Sequence, residues 1–176
     1  MNTMMRKMQA TRGIVYAALL VALEIILTRF VQIPILLDGF TNRINPGLLP
    51  VAAGGMLFGP LGGGLIAAVA DLIRAILFPQ GAFNPLFTIT ATLRGVVFGA
   101  FLWKKTSYLR IILASLVNVI FVNIVLNTLF ISFSYGGSFW VRVLTSLPIT
   151  AINFVLQTAL LVLVLPPIER SLTPHA

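Results

Sequence analysis

Long apolar runs, separated by short turn-forming stretches, dominate the chain. Six such segments can be traced, and they cover residues 13–34, 46–58, 61–78, 85–103, 109–133 and 143–165. A helix needs about 20 mostly apolar residues to cross a bilayer. The first, fifth and sixth segments meet this length, the third and fourth are marginal, and the second is short. The pattern predicts an all-α integral membrane protein: a compact bundle of six transmembrane helices in a single domain, residues 1–176.

The breaks between segments carry residues that end helices. Gly59 and Pro60 separate the second and third segments, and a Gly-Gly pair at 136–137 follows the fifth. Glycine and proline are the strongest local signals for turns. The longest connection, residues 35–45, is polar and mixed, and we expect it to form a loop between the first two helices.

The composition argues against a soluble protein. Of the residues, 59% are apolar and only 9% are charged, and the mean hydropathy is +1.03. A soluble domain carries about 25% charged residues. A short chain needs much polar surface to fold in water, and this one does not have it. The absence of cysteine also excludes disulfides and Cys-ligated metals.

The formal net charge of +8 indicates membrane topology. Seven of the 12 basic residues flank the predicted spans: Arg6, Lys7, Arg12, Lys104, Lys105, Arg110 and Arg170. With six spans they all fall on one side, and Lys and Arg in short loops mark the cytoplasmic side. We therefore expect both termini in the cytoplasm. We expect no nucleic-acid partner, because the basic residues form no cluster or stripe.

Eight further charges lie mostly in the half of the bundle that we expect to face outward. They are Arg29, Arg43, Arg74, Arg94, Arg142, Glu24, Asp38 and Asp71. Charged groups inside a membrane face protein or a cavity. Arginine binds carboxylates bidentately, so a surplus of arginines points to an anionic ligand.

The individual charges divide into structural and ligand-binding candidates. Asp71 and Arg74 lie one helical turn apart, and a structural ion pair explains them better than ligand contact. We expect Glu24 to have a structural role as the partner of one of the arginines. The candidate ligand-binding arginines, which have no acid near them in sequence, are Arg29, Arg43 and Arg94.

Amide and aromatic side chains add to the candidate site. Asn123 and Asn127 share one face of the fifth segment, where they fit either hydrogen bonds between helices or contact with a ligand. Aromatic residues gather on the expected outer side. An interfacial belt accounts for many of them, and rings that stack on a planar heterocycle account for others; the candidates for stacking are Phe83, Phe87 and Trp140.

Small residues indicate close helix packing. The GxxxG patterns at 55–59 and 95–99 favour internal contacts between helices. Ala18 and Ala22 form a similar pair on the first helix, and they suit either internal packing or contact with an external partner helix.

No catalytic or metal-binding constellation is present in the sequence. There is no phosphate-binding loop of the GxxxxGK[ST] type, and the only histidine is His175, next to the last residue. We therefore expect a binding or transport protein without enzymatic activity, cofactor or metal.

Several motifs together resemble one known family. They are the RINPGLLP run at 43–50, GMLFGP at 55–60, AD at 70–71, FNPLFT at 83–88 and LNTL at 126–129. These motifs are similar to those of the substrate-binding S components of energy-coupling factor (ECF) transporters, and specifically of the folate type. The resemblance covers residues 17–167, nearly the whole chain.

The resemblance implies a function and partners. S components of this kind are prokaryotic plasma-membrane proteins that capture a vitamin from outside. They dock on a shared transmembrane coupling subunit, which carries two ATPase subunits. The docking contact maps to Ala18 and Ala22. For folate, the arginine surplus and the motif match together make Arg29, Arg43 and Arg94 the candidates for hydrogen bonds to the carboxylates or the pterin. Phe83, Phe87 and Trp140 would stack on the rings, and Asn123 and Asn127 would supply amide hydrogen bonds.

Three alternatives stay open at this point. The first is an S component for another vitamin or precursor, such as a hydroxymethylpyrimidine, pantothenate or riboflavin. The second is a structural membrane protein without a ligand, and the third is an autonomous carrier.

Overall fold

The computed structural model describes residues 2–31, 33–37, 40–44, 46–79, 84–104, 106–135 and 139–172. The chain begins with helix α1 (Asn2–Phe30), followed by strands β1 (Ile33–Leu37) and β2 (Phe40–Ile44). Helices α2 (Leu48–Leu77), α3 (Pro85–Leu102) and α4 (Tyr108–Val117) come next. A π-helix (Asn118–Asn127) then leads into α5 (Thr128–Tyr135), and α6 (Phe139–Leu172) completes the described part.

Five helical stretches of the described residues are long and apolar enough to cross a membrane: Thr11–Phe30, Leu48–Leu77, Pro85–Leu102, Tyr108–Phe133 and Ser146–Glu169. Large apolar side chains cover their outer faces, and Leu61 and Phe133 are 82% and 84% exposed. Apolar faces of this extent suit a lipid environment. The fold is that of a multi-pass membrane protein, as the sequence predicts.

Helix α2 folds back on itself at Gly59. This residue has φ 76° and ψ −169°, a conformation that glycine adopts without strain. A Cβ built on Gly63 would lie 2.8 Å from the Cα of Gly55. In a straight helix, residues eight apart are separated by about 12 Å. Helix α2 therefore consists of two arms, residues 48–58 and 60–77, that pack against each other, and the predicted break is confirmed.

Glycines let the two arms of α2 pack closely against α3. A Cβ on Gly95 would collide with the carbonyl oxygen of Gly63, and one on Gly99 would lie 2.5 Å from the Cα of Pro60. A Cβ on Gly55 would lie 2.6 Å from the backbone nitrogen of Gly99. Both GxxxG patterns thus serve internal packing, as predicted. We call this contact the glycine seam.

The apolar core lies where α2, α3, α4 and α6 meet. Its members include Leu48, Ala52, Met56, Phe98, Leu102, Ile111, Ala114, Leu161 and Leu165. Helix α1 packs mainly against α2, so it lies at the periphery of the described bundle.

The fifth predicted segment is not one regular helix. Residues 118–127 form a π-helix between α4 and α5, and the Oγ1 of Thr128 donates a hydrogen bond of 3.4 Å to the carbonyl oxygen of Asn123. The π-helix contains Asn118, Asn123 and Asn127. Such wider turns are rare and occur frequently at functional sites.

Two predicted boundaries near the first connection are wrong. The first segment was expected to reach Pro34, but α1 ends at Phe30. Residues 35–45 were expected to form a loop, but strands β1 and β2 pair antiparallel there, with Ile33 opposite Ile44. Pro34 has no backbone N–H to continue a helix, so an extended hairpin replaces the last predicted turn. The all-α prediction therefore holds for the membrane helices only.

Candidate ligand-binding site

The hairpin defines one end of the bundle, which we call the hairpin end. The end of α1 meets the end of α2 there, because the rings of Phe30 and Phe78 pack edge to face at 6.4 Å. Helix α3 starts after α2 ends, and α6 contacts β2. The predicted ligand residues belong to the elements that converge toward this end.

Five side chains below the hairpin end form a polar network that we call the charge cluster. The Nη1 of Arg74 donates to the Oε1 of Glu24 at 3.0 Å, and its Nη2 donates to the Oδ1 of Asp71. The Oγ1 of Thr28 donates to the same oxygen of Glu24 at 3.0 Å. The Oγ1 of Thr88 donates to the Oδ2 of Asp71 at 2.8 Å. The cluster therefore joins α1, α2 and α3.

Two predictions from the sequence are confirmed in the charge cluster. The ion pair between Asp71 and Arg74 is confirmed. Glu24 forms an ion pair with an arginine, as expected, and its partner is the same Arg74. Thr28 and Thr88, which complete the cluster, were not predicted as its members.

Arg94 is the candidate arginine that lies deepest in the bundle. Its Nη2 donates to the Oδ1 of Asn123 at 3.1 Å, so two predicted ligand residues are in contact. Arg94 also lies within electrostatic range of Glu24, Asp71 and Arg74. The sequence gives it no acidic neighbour, but the fold brings two acids near it.

The arrangement corrects the expected surplus of arginines. Two acids, Glu24 and Asp71, lie near two arginines, Arg74 and Arg94, so formal charges balance at this depth. By sequence count, the surplus that remains comes from Arg29, Arg43 and Arg142, set against one acid, Asp38, which lies outside the described residues.

Arg29 lies at the last turn of α1, at the hairpin end. Its side chain is exposed, and its guanidinium lies 5.3 Å from the ring centre of Phe78. This cation–π contact holds the cation at the bundle surface. Arg29 is therefore an exposed cation at the hairpin end of α1.

Two of the predicted aromatic residues, Phe87 and Trp140, lie on different helices, α3 and α6. Phe87 is half-buried in the first turn of α3, where the side-chain oxygen of Asn84 caps the helix by accepting from the backbone N–H of Leu86 at 3.0 Å. Trp140 is 71% exposed and packs edge to face on Phe139 at 5.6 Å. The exposure of Trp140 gives no support to a stacking role, which stays a prediction.

Of three other predicted site residues, two are described by their backbone only, and one lies outside the described residues. Arg43 is placed only by its backbone, which pairs with Pro34 in the hairpin. Asn127 is placed only by its backbone at the end of the π-helix. Phe83 lies outside the described residues. Ligand contact by these three residues stays a prediction.

The predicted docking pair lies on the outer face of α1. Ala18 and Ala22 are both exposed, next to exposed Leu19 and Leu23. Glu24 on the same helix is buried, so α1 has an inner polar face and an outer apolar face. Among the described residues, these alanines do not pack internally, which was one of their two expected roles.

Sequence reasoning missed the two threonines of the charge cluster and the π-helix. Thr28 lies four residues after Glu24, a spacing that places the two side chains on one helix face. Thr88 is 17 residues from Asp71, and no local spacing connects them. Within the described residues, no group of three potential ligands could hold a metal ion.

The helices have outer faces that suit lipid, and they enclose buried charges. This combination is typical of one class, the multi-pass membrane proteins that bind or transport a polar solute. Within that class, the chain belongs to the S component family, because the family model described as "ECF-type riboflavin transporter, S component" matches residues 8–170. It is thus a subunit of a transporter.

Relatives and a solved structure agree with this membership. The chain is 37% identical over 150 residues to "Folate transporter FolT" of Clostridium novyi, covering 84% of each chain. It is 31% identical over 129 residues to a protein of the same name in Leuconostoc mesenteroides, covering 71% of this chain and 66% of that one. A structure described as "Crystal structure of FolT bound with folic acid" matches with a TM-score of 0.72 and 31% identity, covering 86% of this chain and 90% of the other.

Proposed function

We propose that the protein is the folate-binding S component of an ECF transporter. The observation that carries this proposal is the similarity, over most of both chains, to a FolT structure described as bound with folic acid. Two relatives named as folate transporters support it. The resemblance of the sequence motifs to the folate type points the same way.

We propose that folate binds between the charge cluster and the hairpin. Folate carries two carboxylates on its glutamate part, and exposed Arg29 together with Arg43 would bind them. Phe83, Phe87 and Trp140 would stack on the planar rings. Arg94, Asn123 and Asn127 would supply hydrogen bonds from the bundle interior.

The proposed topology has six membrane-embedded helical segments, with the two arms of α2 counted separately. Both termini would lie in the cytoplasm, since the basic residues at the end opposite the hairpin follow the positive-inside rule. The hairpin end would then face outward from the plasma membrane of a prokaryotic cell. The arm at 48–58 is too short to span the bilayer fully, since 11 residues of helix reach only about 17 Å.

The proposed partners are the transmembrane coupling subunit and two ATPase subunits of an ECF module. The exposed pair Ala18 and Ala22 would form the docking strip on α1, because small residues let two helices approach closely. Vitamin uptake would follow reorientation of the S component against the coupling subunit, with ATP hydrolysis confined to the partners.

A thermal-shift ranking of vitamins tests the substrate. Purified protein in detergent is heated with folate, riboflavin, pantothenate or a hydroxymethylpyrimidine. A ligand at 100 times its Kd stabilises by about 2.7 kcal/mol, so folate is expected to give the largest rise in Tm. A larger rise with another vitamin would contradict the proposal, and no rise with any vitamin would favour a structural protein.

Riboflavin is the second candidate, because the matching family model carries its name. Riboflavin has no carboxylate, so it would not need the exposed guanidinium of Arg29. The variant Arg29→Ala therefore separates the two: it is expected to weaken folate binding, whereas riboflavin binding would be unchanged.

A further inference from the structure

Two buried polar atoms beside the charge cluster have no hydrogen-bond partner among the described residues. One is the Oε2 of Glu24, and the other is the Nε of Arg94. Buried polar groups in proteins are almost always paired, so each exception calls for an explanation. One atom is an acceptor and the other a donor.

The rest of each side chain is already held in place. Glu24 is only 7% exposed, and its other oxygen accepts from both Thr28 and Arg74 at 3.0 Å. Arg94 is fixed by its hydrogen bond to Asn123, and it lies on α3, the helix that Thr88 joins to the charge cluster. The free acceptor and the free donor therefore belong to side chains held in place on α1 and α3, two helices that the charge cluster joins.

The charge at this depth selects the kind of group that binds there. Glu24 and Asp71 balance Arg74 and Arg94, so a carboxylate would add an uncompensated charge inside the membrane. A neutral heterocycle adds none. A ring edge with a carbonyl next to an N–H offers one acceptor and one donor, which complement the Nε–H of Arg94 and the Oε2 of Glu24.

We infer that Glu24 and Arg94 recognise the amide edge of the pterin ring and thereby set the orientation of folate. The inference rests on the proposed function. Arg94 donates to the C4 carbonyl oxygen, and Glu24 accepts from the adjacent N3–H. The pterin enters the bundle first, and the glutamate carboxylates stay near Arg29 at the hairpin end, where the arginine surplus lies.

This inference assigns Glu24 a second task besides its ion pair. It also narrows the expected role of Arg94, from hydrogen bonds to a carboxylate or the pterin to hydrogen bonds with the pterin alone. Both residues would determine specificity, because a ligand whose edge has the wrong donors and acceptors leaves these buried groups unpaired.

The test uses three ligands that differ in these features. Folate has the amide edge. Its 4-amino analogue, aminopterin, has an amino group at C4 and an unprotonated N3. The fragment p-aminobenzoylglutamate has no pterin. Equilibrium binding of each is measured for the wild type and for Glu24→Gln, Arg94→Lys and Asp71→Asn.

The expected result is a loss of discrimination in two variants. The wild type should prefer folate to aminopterin by about ten- to a hundredfold, the range for a charge-assisted hydrogen bond. In Glu24→Gln the amide oxygen stays on Thr28 and Arg74, so an NH₂ donor replaces the free acceptor and the preference falls to about one. Arg94→Lys keeps the charge, removes the Nε–H, and should also lower the preference.

Asp71→Asn is the matched control. It removes a carboxylate from the same cluster, but both oxygens of Asp71 already have partners, Arg74 and Thr88. This variant should keep the preference for folate over aminopterin, even if its Tm falls. Binding of p-aminobenzoylglutamate should change less than about threefold in Glu24→Gln and Arg94→Lys, since neither residue contacts this part of folate.

The outcomes separate the two proposals. If the wild type binds folate and Glu24→Gln keeps the full preference over aminopterin, the inference is wrong and the proposed function stands. The inference is also wrong if Glu24→Gln and Arg94→Lys weaken the binding of p-aminobenzoylglutamate as much as that of folate, because an equal loss indicates a general structural effect. If the wild type binds no folate, the proposed function fails, and the inference fails with it.

Discussion

The glycine seam gives a sharp prediction for Gly99→Ala. An added Cβ would lie 2.5 Å from the Cα of Pro60 and 2.6 Å from the carbonyl carbon and oxygen of Gly59. All three atoms belong to the backbone, and they lie at the bend between the two arms of α2. Neither side can yield by rotating a side chain, so α3 and α2 must move apart.

The magnitude follows from two opposing effects. Overpacking of a well-packed core costs about 1–3 kcal/mol, and occasionally more. Replacing glycine by alanine within a helix returns about 0.5–1 kcal/mol. Because the collision involves backbone on both sides, we expect the cost at the upper end of its range and a net loss of about 2 kcal/mol.

Gly13→Ala is the matched control. Gly13 lies in α1, and its added Cβ would meet only the Cε1 of Phe58 at 3.7 Å, an ordinary contact. This variant keeps the gain in helix propensity without a collision, so its stability should rise by about 0.5–1 kcal/mol. The two substitutions are chemically identical, and their effects should have opposite signs.

The assay is thermal unfolding of both variants in the same detergent. A change of 1 kcal/mol shifts the Tm by about 2–4 °C in a protein of 150–250 residues. We expect a fall of about 4–8 °C for Gly99→Ala and a rise of about 1–4 °C for Gly13→Ala. A Tm of Gly99→Ala equal to or above that of the wild type would refute the close contact between α2 and α3.

Three further predictions follow from the described contacts. Arg74→Ala leaves two buried carboxylates without their cation and should lower the free energy of unfolding by about 3–5 kcal/mol. Arg29→Ala loses only an exposed cation–π contact of about 0.5–1 kcal/mol. Equal falls in Tm for the two variants would contradict the charge cluster. Replacing Ala18 and Ala22 by leucine should abolish co-purification with the coupling module and leave folate binding intact, and a loss of binding instead would mean that these residues pack internally. Asn84→Ala removes the N-cap of α3 and should lower stability by about 1 kcal/mol, which an unchanged Tm would contradict.

Local chemistry made several features predictable from the sequence. The break at Gly59 followed from a glycine next to a proline, and the pair of Asp71 and Arg74 followed from a spacing of three residues in a helix. The packing role of the GxxxG patterns followed from their small size. Each of these signals lies within a few consecutive residues.

Features that depend on the tertiary fold could not be predicted in the same way. Glu24 and Arg74 are 50 residues apart in sequence, and the choice among five arginines depends on how α1 lies against α2. The pairing of Arg94 with Asn123 spans 29 residues. The π-helix also left no trace in the apolar pattern, because a wider turn changes the backbone bonding and not the residue types.

The hairpin is a different case, because the sequence did carry a signal. The apolar run continues from Phe30 through Leu37, so hydrophobicity alone extends the helix too far. Pro34 disfavours helix, and an Asp-Gly pair at 38–39 between two apolar stretches is a strong hairpin signal. Turn chemistry, given more weight than hydropathy, would have predicted this element.

The most direct test of the proposed function is equilibrium binding of radiolabelled folate to the purified chain, without any partner subunit. An S component that captures folate by itself should bind it saturably, with one site per chain and an affinity tighter than micromolar. An excess of unlabelled folate should displace the label, and riboflavin should not. The absence of saturable folate binding at micromolar ligand, in protein whose thermal unfolding is cooperative, would contradict the account.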